Sequence, residues 1–174
     1  MRIHLKADFI TLLLTCSFLS SGLYADTVAK ETVMIEVPEE DVWAAPGDFC
    51  DLSWHPLVDN TVCNAEGTVR NVILLGGAGV VEELINQPDD RKYVYNMIDQ
   101  CTSFEPDGTC NSGPVLPVAN YKGDFKVLPL GQDSTIVMWQ TNFDQLNEDA
   151  EMIVRSLILR LGLDALKADL EATH

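Results

Sequence analysis

From Glu148 to Glu171 the sequence carries two apolar stripes at helical spacing, too much apolar surface for a helix lying alone on a small protein. Ala150, Val154, Leu157, Leu161, Ala165 and Ala168 form one stripe, and Met152, Leu159, Leu163, Leu166 and Leu170 form the other. Asp149, Ser156, Arg160, Asp164, Lys167 and Glu171 run between them as a solvated band. Asn147 suits an N-cap, and Glu148, Asp149 and Glu151 sit where the positive end of the helix dipole favours acids. A helix of roughly 24 residues extends about 36 Å at ~1.5 Å per residue. Something curved must cover it. Whether that cover closes tightly or leaves a cavity decides what the protein can do.

The N-terminus reads as a separate segment. Arg2, His4 and Lys6 make a basic start, Phe9 to Leu19 an apolar run, and Ser20 to Ala25 a small-residue stretch. This is the pattern of a secretory signal peptide over residues 1–25, cut after Ala25. Thr15 before Cys16 argues against lipid attachment there. No later stretch approaches the ~20 apolar residues that a stable membrane span needs. A periplasmic or secreted protein is expected, with one domain over residues 26–174.

The whole chain has 174 residues and a net charge of −16. Residues 1–25 hold two basic residues and one acidic one, so the remainder carries 9 Lys and Arg against 26 Asp and Glu, a net −17. That field repels nucleic acid and anionic membranes. It suits solubility outside the cytoplasm, and would also suit a cationic periplasmic partner. Cys50, Cys63, Cys101 and Cys110 remain after cleavage. Four cysteines allow three pairings; local pairing, Cys50 with Cys63 and Cys101 with Cys110, closes two short loops and is the one expected. With no Cys-x-x-Cys and only His55 and His174 left, no metal site is expected, and no motif calls for a cofactor.

Along the chain, Asp26 to Lys30 reads as a frayed start and Thr32 to Val37 as a strand ended by Pro38. A helical turn at Glu39 to Trp43 and a second short helical piece within Asp48 to Val58 follow. Strand patterns then cover Gly67 to Leu75, Val80 to Ile85, Lys92 to Ile98, Val118 to Leu128 and Ser134 to Phe143. Residues 99–115, with two of the cysteines, form a polar lobe between two of them. One strand, two short helices, antiparallel strands and a long C-terminal helix make an α+β fold. A curved sheet of about seven strands around that helix leaves a tapered apolar space, a default ligand site.

Several runs together carry a family resemblance. They are Val42-Trp43, Asp48-Phe49, Trp54-His55-Pro56, Gly67-Thr68-Val69-Arg70, Glu83-Leu84, Tyr93-x-Tyr95, Pro117-Val118-x-Asn120-Tyr121, Trp139 and Gly162-Leu163-x-x-Leu166. Their order and spacing over residues 31–170 resemble the polyketide cyclase/dehydrase-like branch of the START, or SRPBCC, superfamily. The resemblance implies a helix-grip fold with a hydrophobic cavity between sheet and helix. It also implies functions ranging from lipid carriage and hormone reception to aromatic cyclisation and accessory roles in periplasmic oxidation. In the hormone-receptor relatives a glycine-containing loop gates the cavity and a second loop latches it. Gly76 to Gly79 resembles the first, and Gly113 to Pro117 sits near the second. Glu82, Tyr121 and Trp139 resemble cavity-lining positions. The four cysteines and the lobe 99–115 depart from the usual pattern.

The candidate chemistry is sparse. His55, the only histidine inside residues 26–173, would serve as a general base or as a packed helix-end residue. Glu82 and Glu83 alternate across a strand, so one faces inward; grouping with Leu84 favours Glu82. An inward carboxylate would act as a proton-transfer group or a ligand anchor. Arg70 would hold a ligand carboxylate or an acid on the next strand. Tyr93, Tyr95, Tyr121 and Trp139 offer aromatic walls with polar tips, and Leu157 an apolar helix contact. Three functions compete: an exported binding protein for a lipid-like or aromatic molecule, a cyclase or dehydratase using Glu82 or His55, and an accessory protein docking a periplasmic oxidoreductase.

Overall fold

Pro38 ends the first strand, and from there the chain must cross from one edge of a sheet to the other before the next strand begins. The computed structural model describes residues 26–174 apart from Asp90, so the expected signal peptide lies outside the described residues. The strands are β1 (Asp26–Ile35), β2 (Val58–Cys63), β3 (Val69–Leu74), β4 (Gly79–Asp89), β5 (Lys92–Phe104), β6 (Cys110–Ser112), β7 (Val118–Pro129) and β8 (Thr135–Gln145). They form one antiparallel sheet in the order β1-β8-β7-β5-β4-β3-β2, with β6 beside β5. From β2 onward the chain runs in hairpins, β8 and β1 closing the far edge.

The crossing differs from the expectation of two short helices. α1 (Glu39–Trp43) forms, with three acids in its first turn. Residues 48–57 instead make a run of turns, with Asp51 N–H donating to the Asp48 carbonyl, His55 to Leu52 and Val58 to His55. The carboxylates of Asp48 and Asp51 capture the amides of Cys50 and Ser53, each at 2.8 Å, competing with helical bonding. Pro56 removes a further donor.

Two other boundaries moved. β1 starts at Asp26 instead of fraying, because ten of its residues pair with β8. β2 was not foreseen; its six residues VDNTVC show no clean alternation of buried and exposed positions, the usual signal of a strand. The lobe at 99–115 is the far end of β5 folded back onto β6, closed by Cys101–Cys110, while Cys50–Cys63 ties the turn segment to β2.

The C-terminal helix is continuous but not uniform: α2 (Ala150–Ile153), a π-helical segment (Val154–Arg160) and α3 (Leu161–Thr173). Only one face is buried, through Ala150, Val154, Leu159, Gly162, Leu163, Leu166 and Leu170. The two expected stripes merge into this one because the π segment bonds at i→i+5, as in Leu161 N–H to the Ser156 carbonyl. That widening advances the buried phase, so Leu159 follows Val154 inward and Leu157 is left facing out. The N-cap position falls to Asp149, which makes no side-chain cap bond, and not to Asn147 as expected; Asn147 lies in the preceding turn, its Oδ1 accepting the Asp149 amide at 3.1 Å.

The helix also seals the free edge of β1. Arg155 donates to the Lys30 carbonyl at 3.1 Å and Lys167 to the Met34 carbonyl at 2.7 Å. Glu171 accepts the Glu36 amide at 2.9 Å. Such contacts keep an edge strand from pairing with another chain.

Candidate functional site

Between the concave face of the sheet and the π segment lies a cavity of about 50 Å³. The sheet supplies Arg70, Val72 and Leu74 from β3, Val80 and Glu82 from β4, Tyr95 and Met97 from β5, Tyr121 from β7 and Trp139 from β8. The turn segment adds Leu52 and His55, the segment before β7 adds Leu116, and the helix adds Ile158. Val58, first residue of β2, completes the wall.

Arg70 and Glu82 are direct cross-strand partners. Glu82 faces inward at 7% exposure, and Glu83 faces out. One carboxylate oxygen, Oε2, accepts from Arg70 Nε at 2.7 Å and lies 2.6 Å from Nη2. Arg70 Nη2 is thus ion-paired with Glu82, and Tyr93 is a further side-chain hydrogen-bond partner of Arg70. Arg70 Nη1 donates to the Phe49 carbonyl at 2.5 Å. Its guanidinium lies over the Phe49 ring at 4.1 Å and near the Tyr95 ring at 5.2 Å. Burial alone would lower the Arg70 pKa; the charge of Glu82, followed by Tyr93, Tyr95 and last the Glu82 hydrogen bond, outweighs it and holds the group above its ordinary value. Removing either partner of this buried ion pair would strand the other.

Trp139 Nε1 donates to the Tyr95 hydroxyl at 3.0 Å, joining two walls of the cavity. Tyr95 stands opposite Gly123 on β7, where a Cβ would come within 2.1 Å of its ring. The glycine lets the phenol lie flat across its neighbour. Burial pushes the phenols up, Tyr93 to about 12 and Tyr95 and Tyr121 likewise upward, so all three are neutral at physiological pH.

His55 is fixed in one tautomer. Its Nδ1 accepts the Leu57 amide at 3.2 Å, so Nε2 carries the proton and donates to the Ile158 carbonyl at 3.0 Å. Burial is the main cause that lowers its pKa, partly offset by the bond to the Ile158 carbonyl. Close approach of the ring depends on Gly162, where a Cβ would meet His55 Cδ2 at 2.5 Å.

Of the residues singled out from sequence, His55, Arg70, Glu82, Tyr95, Tyr121 and Trp139 converge on this cavity. Leu157 does not: it is 48% exposed on the outer side of the helix, and Ile158 lines the cavity instead. The expectation for Leu157 assumed α-helical phase, which the π segment breaks. Leu52, Val58, Val72, Leu74, Val80, Met97 and Leu116 were also missed. Met97 already shared a strand face with Tyr95 in the sequence, a signal that was there to use. Among the described residues no cluster of three or more His, Cys, Asp or Glu is placed to hold a metal, and no helix is long and apolar enough to cross a membrane.

A curved antiparallel sheet gripping a C-terminal helix around an apolar cavity defines a helix-grip protein. This chain belongs to the polyketide cyclase/dehydrase and lipid transport family, whose sequence profile matches residues 26–171. Its fold is that of the START superfamily. It is similar to the Bacillus cereus protein XoxI, at 22% identity and TM-score 0.70 over 85% of this chain and 99% of that one. A START superfamily protein from Mycobacterium smegmatis matches at 14% identity and TM-score 0.62, over 86% and 100%. Norcoclaurine synthase from Thalictrum flavum, in complex with dopamine and hydroxybenzaldehyde, matches at 17% identity and TM-score 0.59, over 86% of each chain. No curated protein matches by sequence.

Proposed function

We propose that this chain is an exported binding protein for a hydrophobic small molecule, lipid-like or aromatic, held between sheet and helix. The observation that carries the reading is a partly open, largely apolar space whose only charged lining groups, Arg70 and Glu82, are paired with each other. Ligand pockets of ~300 Å³ or more are usual, and about 50 Å³ is under two waters' share of liquid volume. A larger occupant must therefore displace side chains. Met97 is unbranched and flexible, so it gives way at least cost. Two disulfides support an oxidising compartment, as does the N-terminal sequence pattern.

Proton-transfer catalysis is the weaker reading. The Glu82 carboxylate is held by a guanidinium, and both nitrogens of His55 are engaged by backbone. Docking to a cationic periplasmic oxidoreductase rests on net charge alone. Native mass spectrometry of the exported, disulfide-bonded protein, compared with the denatured sample, tests the binding reading. The expected result is a discrete excess mass lost on denaturation. A bare mass, together with no uptake of any small apolar compound, would overturn it.

A further inference from the structure

We infer that the ligand site continues outward past Met97 into a groove between β5 and β7. Its occupant is an amphiphile, with an apolar chain inside and, in the groove, a head that donates hydrogen bonds and carries no negative charge. The inference rests on the binding reading above and names where the polar end lies. β5 and β7 pair from Lys92 opposite Lys126 to Asn96 opposite Lys122 and no further, and β5 meets β6 only from Cys101 opposite Ser112. Residues 97–100 and 118–121 therefore border a split in the sheet, along which lies a groove of about 340 Å³. Both strands are irregular there. β5 skips Ile98 in its pairing with β4, and β7 shifts register between Ala119 and Lys122, where Asn120 takes a φ of 50°. Bulges of this kind end pairing and re-aim side chains.

Met97 lines both the inner cavity and the groove, and no other residue does. Its unbranched side chain can change rotamer at small cost, and that joins the two spaces. The inner cavity alone is too small for a ligand, whereas together they exceed the ~300 Å³ usual for one. Ile98, Pro114, Val118 and Ala119 carry the apolar lining outward, and Val118, 1% exposed, ties the groove to the core. Asp99 is the one ionisable residue of the groove lining. Its oxygens accept the Gln100 amide at 2.8 Å and the Ser112 hydroxyl at 2.6 Å, and each has room for a further donor. Asn120, also in the lining, donates to the Asp144 carboxylate at 2.6 Å, which brings up a second acid. An anionic head would face both with no counter-charge in the lining. A hydroxyl can donate to Asp99 and keep its contact with water.

Three probes separate groove from cavity: 1-decanol, decanoate and toluene, the last short enough for the inner space alone. Each would be titrated into the disulfide-bonded protein at neutral pH, with the Met97 methyl and the backbone amides followed by NMR. Decanol is expected to shift the Met97 methyl and the amides of Asp99, Gly113 and Asn120, and toluene the methyl without those amides. Decanoate is expected to bind at least about tenfold more weakly than decanol. Ala119→Trp, which fills the groove, is expected to weaken decanol about tenfold or more, the worth of about two methylenes denied a wall, and to leave toluene within about twofold. The shift map needs no variant, so it decides alone should Ala119→Trp fail to fold. Decanol shifts at the Gly76 turn in place of the groove amides, equal or tighter binding of decanoate, or binding of toluene without decanol would overturn the inference and leave the binding reading standing. Binding of none of the three would overturn both.

Discussion

At Gly162 two physical effects of opposite sign meet, and their magnitudes decide the outcome. Alanine in a helix interior gains about 1 kcal/mol over glycine. Here its Cβ would stand 2.5 Å from His55 Cδ2 and 3.1 Å from Trp139 Cζ3, against rings fixed by hydrogen bonds. Overpacking of that kind costs about 1–3 kcal/mol, so Gly162→Ala is expected to destabilise, with a lower urea midpoint at unchanged slope. A raised midpoint would show that the rings can move aside. His55 makes a second prediction at this scale. Its pKa is lowered on folding from an ordinary 6.5, so the unfolded chain takes up its proton first. The contribution of the neutral ring is complete above about pH 6.5 and is lost as the pH falls from there through the folded value. Unfolding free energy measured in urea should therefore drop over that window, and His55→Gln should remove part of the slope. Identical slopes would mean that other groups carry it. Arg70→Met should cost about 3–5 kcal/mol by leaving Glu82 buried without its partner, and Glu82→Met in the same chain should recover much of that loss. A double-mutant cycle in urea checks it, and additive losses would contradict it.

Among the elements, the segment between β6 and β7 shows how one side chain can hold a stretch of irregular backbone. Gln100 on β5 accepts the amides of Val115 and Leu116 at 2.8 and 2.6 Å and donates to the Val118 carbonyl at 3.0 Å. Those bonds keep Leu116 against the cavity. Gln100→Ala should cost about 1–3 kcal/mol and raise hydrogen exchange at Val115 and Leu116 by about tenfold or more, while the β7–β8 amides stay protected. Unchanged exchange would mean that the segment is held by its own packing. Nothing in the sequence around Gln100 signals this role, because its partners lie about 15–18 residues away along the chain. What the sequence does signal is local. Alternation exposed the strands that carry Tyr93, Tyr95 and Trp139, and glycine pairs marked the turn where Gly76 and Gly77 take positive φ. Glu82 could be separated from Glu83 by strand phase alone. Helical phase failed at Leu157 because hydrogen-bond register inside a helix leaves no trace in apolar spacing until the helix is packed. β2 escaped because an edge strand need not alternate.

For the molecule as a whole, the two disulfides separate stability from function. They close loops with sequence separations of 13 and 9 residues, for which chain entropy gives about 3 kcal/mol each and a difference of only a few tenths. The loss of either bond should thus lower stability by a similar amount. Their places in the fold are not equivalent. Cys50–Cys63 anchors the turn segment, which supplies Leu52 and His55 to the cavity and the Phe49 carbonyl to Arg70. Cys101–Cys110 closes the β5–β6 hairpin, whose tip rests on the outer side of the sheet through Asn71 Nδ2 and the Gly108 carbonyl at 2.9 Å. Cys50→Ala/Cys63→Ala should therefore weaken binding of a small apolar ligand as well as stability, because the wall that carries His55 gains freedom that a ligand must then remove. Cys101→Ala/Cys110→Ala should lose comparable stability and keep its affinity. Urea unfolding and ligand dialysis on the two variants give both quantities. Equal loss of affinity in both would mean that the cavity responds to global stability, and loss only in the second would place ligand entry beside the hairpin.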